Sequence, residues 1–245
     1  AIKSGADGII FDLEDSILLN DKAKARENLF KYLSSNNPDA ITYIRVNDVN
    51  SEIGISDIEM LSELNFAFIV PKFENEENFT KISDDIKIIP LIETPLAINN
   101  LNKIAKNKKV IGLSFGAADF SSMIRSEMNW DAMLYARSKI IIECSINNLI
   151  SIDSPFMDIS NMNAFENEVK KSKAIGMQSK AAINPSQISI IKKYFLPSEE
   201  EILEAKEIIN LYKKSDNGVF SYKGKVVDKP IIKIMENKLI ISENN

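Results

Sequence analysis

The chain has 245 residues, 30 basic against 35 acidic side chains, a net charge of −5 and no histidine. Without histidine there is no Ser-His-Asp triad, no Cys-His pair, no HExxH zinc site and no imidazole acid or base. One cysteine, Cys144, excludes an internal disulfide and reads as a small buried residue in a reducing, cytoplasmic setting.

Hydrophobic residues make up 44% and charged residues 27%, enough for a large core in a globular protein. The mild acidity argues against a nucleic-acid partner, whose binders carry basic footprints. No apolar run approaches the roughly 18 residues of a membrane span, and the start does not read as a signal peptide. Any chemistry falls to Asp, Glu, Lys, Arg, Tyr, Ser, backbone amides or an oxygen-liking metal.

In chain order, residues 1–4 read as the tail of a helix feeding a first strand at 8–11. Further short apolar runs follow at 41–44, 66–70, 86–92, 110–115, 149–152 and 180–183. Their β-branched and aromatic content predicts buried parallel strands. Amphipathic stretches lie between them: one opened by Asp21 as N-cap, one at 96–105 behind Pro95, and one at 131–146. Alternation of strand and helix predicts an α/β fold with a parallel sheet. Seven strands are visible where a closed (β/α)8 TIM barrel needs eight, so a first strand is expected ahead of residue 1.

After residue 191 the pattern changes. Ser198 with Glu201 predicts a capping box and a helix to about residue 213. A turn at 215–218 and a hairpin around Lys223-Gly224 come next, then a helix behind Pro230. The expected division is a barrel domain over 1–195 and a C-terminal helical and hairpin lid over 196–245. Glycine is scarce, 8 in all, so asparagine is expected to take its place in turns.

The strand ends deliver Glu14 and Asp15, Arg45, Lys72 and Glu74, Glu93, Asp119, Asp153 and Asn184. In a parallel barrel these ends share one mouth. Glu93 and Asp119 lie one βα unit apart, and two carboxylates with room for substrate oxygens suit Mg²⁺. Arg45 presents a fork for a substrate carboxylate. The small run Gly116-Ala117-Ala118 lets backbone amides approach an anion. These parts suit a 2-keto acid and carbon–carbon lyase or aldol chemistry.

Those residues lie in GADGIIFDLEDS (5–16), YIRVND (43–48), IVPKFE (69–74), PLIET (90–94), SFGAADF (114–120), ISIDSPF (150–156) and GMQSKAAINPSQI (176–188). With FLPSEEEILEAKEII (195–209) and GKVVDKPI (224–231), they make the chain resemble the citrate lyase beta-subunit-like proteins of the HpcH/HpaI aldolase superfamily. The resemblance implies a (β/α)8 barrel with a C-terminal lid. It implies an Mg²⁺-dependent lyase cleaving or forming a 2-hydroxyacyl thioester such as citryl-CoA, malyl-CoA or citramalyl-CoA, or its acyl-carrier-protein version. Glu93 and Asp119 would hold the metal and Arg45 the keto-acid carboxylate. Glu14 and Asp15 would order waters and side chains beside them. Asp228 would be the acid/base residue, carried by a lid exchanged between subunits of a homotrimer or hexamer.

The chain departs from the family pattern at its first strand and at Asn184-Pro185, where His-Pro is usual. Asp153 and Lys72 also have structural readings, as a turn residue and as an ion-pair partner of an interior carboxylate. The alternatives are a non-catalytic subunit, opposed by the full set of site residues, and a pyruvate-dependent class II aldolase, opposed by the lack of a histidine base.

Overall fold

Seven parallel strands follow one another across a single sheet in chain order, each paired with the next. They are β1 (Gly8–Asp12), β2 (Ile41–Arg45), β3 (Ala67–Val70), β4 (Ile88–Ile92), β5 (Gly112–Phe115), β6 (Ile150–Asp153) and β7 (Ser179–Lys180). The computed structural model describes residues 2–215 and 218–243, in two units, 1–188 and 189–245.

The strands form where the buried apolar runs predict them. β4 is buried at every position, which is why its sequence shows no alternation. On one face Tyr43, Ile69, Ile89, Leu91 and Ile152 pack together. Pro90 has no N–H to give the ladder; β4 pairs with β3 up to Pro90 and with β5 from Leu91. Among the described residues β1 and β7 are not paired with each other, so the sheet is open between them.

Helices α1 (Lys22–Ser35), α2 (Glu52–Leu61), α3 (Pro95–Ala105), α4 (Ala117–Met123), α5 (Trp130–Asn147) and α6 (Met162–Ile175) link the strands. Between β3 and β4 the link is only a 3-10 segment, Glu76–Lys81. Thr94 caps α3 by accepting from the Ala97 N–H at 3.1 Å, with Pro95 at its first position. This leaves Glu93 in a two-residue link between β4 and α3. The same economy holds between β5 and α4, where Gly116 alone is the link and Asp119 falls on the first helical turn.

Four expectations are corrected. Residues 2–4 form a turn and a bend rather than a helix end, and Ala1 lies outside the described residues. Asp21 precedes α1 without a side-chain capping bond, because a 3-10 turn at Leu19–Asp21 already runs into the helix. The fourth strand begins at Ile88, not 86, with Val110 joined to it by a single bridge. β7 covers only two residues: Ala181 still donates to Asp153 O, then Asn184 and Gln187 form a capping box on a 3-10 turn. Asparagine does replace glycine at two turns, Asn65 (φ 55°) and Asn148 (φ 55°), both left-handed ends of helical segments.

The second unit takes in α7 (Ile188–Phe195) from Ser189, α8 (Glu199–Lys214), β8 (Phe220–Tyr222), β9 (Lys225–Val227) and α9 (Lys229–Glu243). Ser198 and Glu201 form the expected capping box. The β8–β9 hairpin turns at Lys223 (φ 47°) and Gly224 (φ 78°), the two positive angles a type I′ turn requires. Ile208, Val227 and Ile232 form its core. Of the expected turn at 215–218, positions 216 and 217 lie outside the described residues. No described helix is long and apolar enough to cross a membrane.

Candidate active site

Arg45, the last residue of β2, lies in register with Asp12, the last residue of β1. Its Nε and Nη2 donate to the two oxygens of Asp12, each at 2.7 Å, a bidentate pair. Its Nη1 meets Glu14 Oε2 at 3.1 Å and Asp15 Oδ2 at 3.3 Å. The sequence points to Glu14 and Asp15 as neighbours of this guanidinium but misses Asp12, which fills one side of the fork. Opposite charges at the paired ends of adjacent strands were the available signal.

The loop that carries Glu14 is tied down from below. Lys22 Nζ donates to Leu13 O at 3.0 Å, to Glu14 O at 2.9 Å and to Asn47 Oδ1 at 2.6 Å. Asn47 Nδ2 in turn donates to Leu13 O and to the fully buried Asp57, which also accepts from Arg26 Nε at 2.6 Å. These contacts fix where Glu14 can stand.

Burial would raise the Asp12 carboxyl, but the Arg45 and Glu14 N–H hydrogen bonds and the Arg45 charge outweigh it and hold it at about 2. Glu14 goes the other way: burial, helped by Asp15 and Asp12 and opposed by Arg45, pushes it up to about 7. Asp12 therefore adds stability that is complete above its unfolded value of 3.8 and disappears as pH falls through about 2. The contribution is on the order of 2 kcal/mol. Asp12→Asn should lower stability near neutral pH and flatten the acid side of the stability profile between those values. An unchanged acid-unfolding curve would refute this assignment.

Glu93 is buried, 3% exposed, whereas Asp119 is exposed at the start of α4. The two carboxyl groups stand within hydrogen-bonding reach of each other, with Glu14 near enough to act on Glu93. Burial first, then the charges of Glu14 and Asp119, push Glu93 up to about 8 against the pull of the Lys72 N–H. Among the described residues no three His, Cys, Asp or Glu side chains gather as a metal cage. An all-oxygen pair is the donor set Mg²⁺ takes when substrate and waters complete its shell, so the residues fit that ion.

Lys72 does not form the expected ion pair: among the described residues no carboxylate lies within 4.0 Å of its Nζ. Its side chain is exposed, and its link to the site is its backbone N–H, 2.7 Å from Glu93 Oε1. Gly116 spends its own N–H on Ile92 O at 3.0 Å, which leaves the Ala117, Ala118 and Asp119 N–H groups, in the first turn of α4, without an intrahelical partner. Ala117 also lines a cavity of about 230 Å³ with Met133, Arg137, Ser154 and Phe156.

Asp153 and Asn184, at two further strand ends, have structural partners, whereas Glu74 is held through its backbone, its N–H donating to Asn78 Oδ1 at 3.1 Å. Asp153 is fully buried between Arg137 Nε (2.7 Å) and Lys180 Nζ (3.0 Å), with Glu168 completing the charge balance. Asn184 caps the 3-10 turn at Pro185–Gln187. In the second unit Asp228 Oδ1 accepts from the Ile231 N–H at 3.3 Å at the start of α9. Cys144 is buried, and burial pushes its thiol up to about 12, an inert state.

Residues 1–185 match the family model described as HpcH/HpaI aldolase/citrate lyase. The chain belongs to this family. Citrate lyase subunit beta of Haemophilus influenzae is 29% identical over 92% of this chain and 85% of the relative. The mitochondrial citramalyl-CoA lyase of Homo sapiens is 26% identical over 96% of this chain and 78% of its own length. CitE of Mycobacterium tuberculosis, solved with magnesium, acetoacetate and coenzyme A, shares the fold. Its TM-score is 0.85 at 24% identity, over 97% of this chain and 90% of that one. The HpcH/HpaI frame makes the chain a carbon–carbon lyase.

Proposed function

We propose that this lyase binds Mg²⁺ between Glu93 and Asp119 and cleaves, or forms, a 2-hydroxyacyl thioester of the citryl-CoA, malyl-CoA or citramalyl-CoA type. The observation that carries the reading is the juxtaposition of those two carboxyl groups at consecutive strand ends, one buried and one exposed. We propose further that the sequential parallel sheet belongs to a closed (β/α)8 barrel, that residues 196–245 act as its lid, and that the protein works as a homo-oligomer.

Magnesium, when bound, polarises the keto oxygen and neutralises charge on the keto acid. The chain's own residues do the rest. Arg45 offers Nη1 to the keto-acid carboxylate while Asp12 keeps the guanidinium oriented. The partner that gives way to substrate is Asp15, whose side chain is 70% exposed and whose ion pair is therefore weak. Glu14 orders water beside Arg45, and the Ala117 and Ala118 amides face the substrate anion. Cleavage breaks the bond between the carbinol carbon and the thioester's α-carbon. It removes the hydroxyl proton and returns one to the α-carbon, and Asp228 is the group we assign to that transfer.

Arg45→Lys should raise KM for the keto acid about tenfold or more, because an ammonium cannot hold Asp12 in two bonds and still present a fixed donor. A lysine variant with unchanged KM would remove Arg45 from the substrate site. The function itself is tested by incubating the folded protein with the three CoA thioesters and Mg²⁺ and resolving the products chromatographically. Release of a keto acid and an acyl thioester from one of them supports the reading. Failure to split any of them, or the acyl-carrier-protein forms, overturns it.

A further inference from the structure

Glu93 is gripped by two backbone features, one from each neighbouring strand end. Lys72, two residues past β3, holds φ at 50°, a left-handed conformation uncommon for a residue with a side chain. That conformation accompanies the 2.7 Å hydrogen bond from its N–H to Glu93 Oε1. On the other side, Gly116 has φ −99°, an angle open to any residue, so backbone freedom does not explain the glycine. The space does. A Cβ at position 116 would lie 2.5 Å from Glu93 Cβ and 2.8 Å from Glu93 Oε2, with Leu91 Cγ at 3.4 Å. The Glu93 side chain occupies the volume that any other residue at 116 would claim, and its Cβ is too rigidly attached to move aside.

We propose that Gly116 and Lys72 are positioning residues that aim the Glu93 carboxylate at Asp119: Gly116 by its missing Cβ, Lys72 by a left-handed backbone that turns its N–H onto Oε1. The assignment rests on the reading of Glu93 and Asp119 as the metal pair. It gives position 116 a role different from an amide donor to substrate, consistent with its N–H being taken by Ile92 O.

The test uses Mn²⁺ as a spectroscopic substitute for Mg²⁺, with free Mn²⁺ counted by electron paramagnetic resonance in the absence of substrate. Gly116→Ala should weaken Mn²⁺ binding about 10- to 100-fold, the range for residues that support a ligand from behind. Unaltered affinity in a folded Gly116→Ala protein would overturn the role of Gly116. The Lys72 part is read from two uncharged variants. Asn tolerates a left-handed backbone and Val does not, so Lys72→Val should bind Mn²⁺ more weakly than Lys72→Asn. Equal affinities in the pair would show that the backbone conformation is irrelevant. If the unaltered protein binds no Mn²⁺ at all, the metal assignment itself fails, an outcome distinct from either of these.

Discussion

Glu93→Gln should abolish metal binding and with it thioester cleavage, a loss of about 10³-fold or more if the metal supplies several kcal/mol of charge stabilisation. Glutamine keeps the size of the side chain, and its carbonyl oxygen can still accept the Lys72 N–H that now reaches Oε1 at 2.7 Å. What it loses is the ability to become the carboxylate that Mg²⁺ would take. Fold stability near neutral pH should be unchanged or raised, since a buried carboxyl pushed up to about 8 must take up a proton on folding and glutamine need not. The separation of the two effects is the useful feature. A calorimetric titration with Mg²⁺ reads the binding, a thermal melt reads the fold, and product release reads activity. Retained Mg²⁺ binding in the glutamine variant would remove Glu93 from the metal site. A collapsed melting temperature would make its role structural.

Asp228→Asn should lower turnover by about 10²- to 10⁴-fold, the usual worth of a positioned general acid or base, while leaving Mg²⁺ binding intact. The proposed chemistry demands a proton carrier, the chain has no histidine, and on that reading Glu93 and Asp119 hold the metal. Asp228 also accepts the Ile231 N–H at the start of α9, and asparagine retains that bond. A structural role alone therefore predicts a variant with normal turnover. Mixing inactive Asp228→Asn with inactive Glu93→Gln protein under subunit exchange decides which chain the aspartate serves. Recovered activity means that it acts at a neighbouring copy's site. No recovery in proven mixed oligomers means that it acts within its own chain.

Much of the strand order was legible because buried parallel strands leave uninterrupted apolar runs, as at 88–92 and 112–115. Glu93 and Asp119 were legible for the same reason: each is among the first charged residues after such a run. Asp12 was not, because the run appeared to stop at Phe11, and only the register with β2 shows that Asp12 faces Arg45. Position 116 was visible as important but its reason was hidden. A glycine whose amide is needed and a glycine whose Cβ would collide look identical in sequence, and only the 2.5 Å approach of Glu93 Cβ distinguishes them. Lys72 shows the same limit: its side chain suggested an ion pair, while its backbone N–H makes the contact. Asp57 and Lys22, which hold the Glu14 loop, sit in helices where nothing in the local pattern marks them.

The most direct test of the magnesium lyase reading is metal removal and return in one reaction vessel, with keto-acid release from a cleaved CoA thioester followed continuously. Turnover should stop on addition of EDTA, resume when Mg²⁺ exceeds the chelator, and stay absent throughout in the Glu93→Gln protein. Equal rates before and after chelation would contradict it.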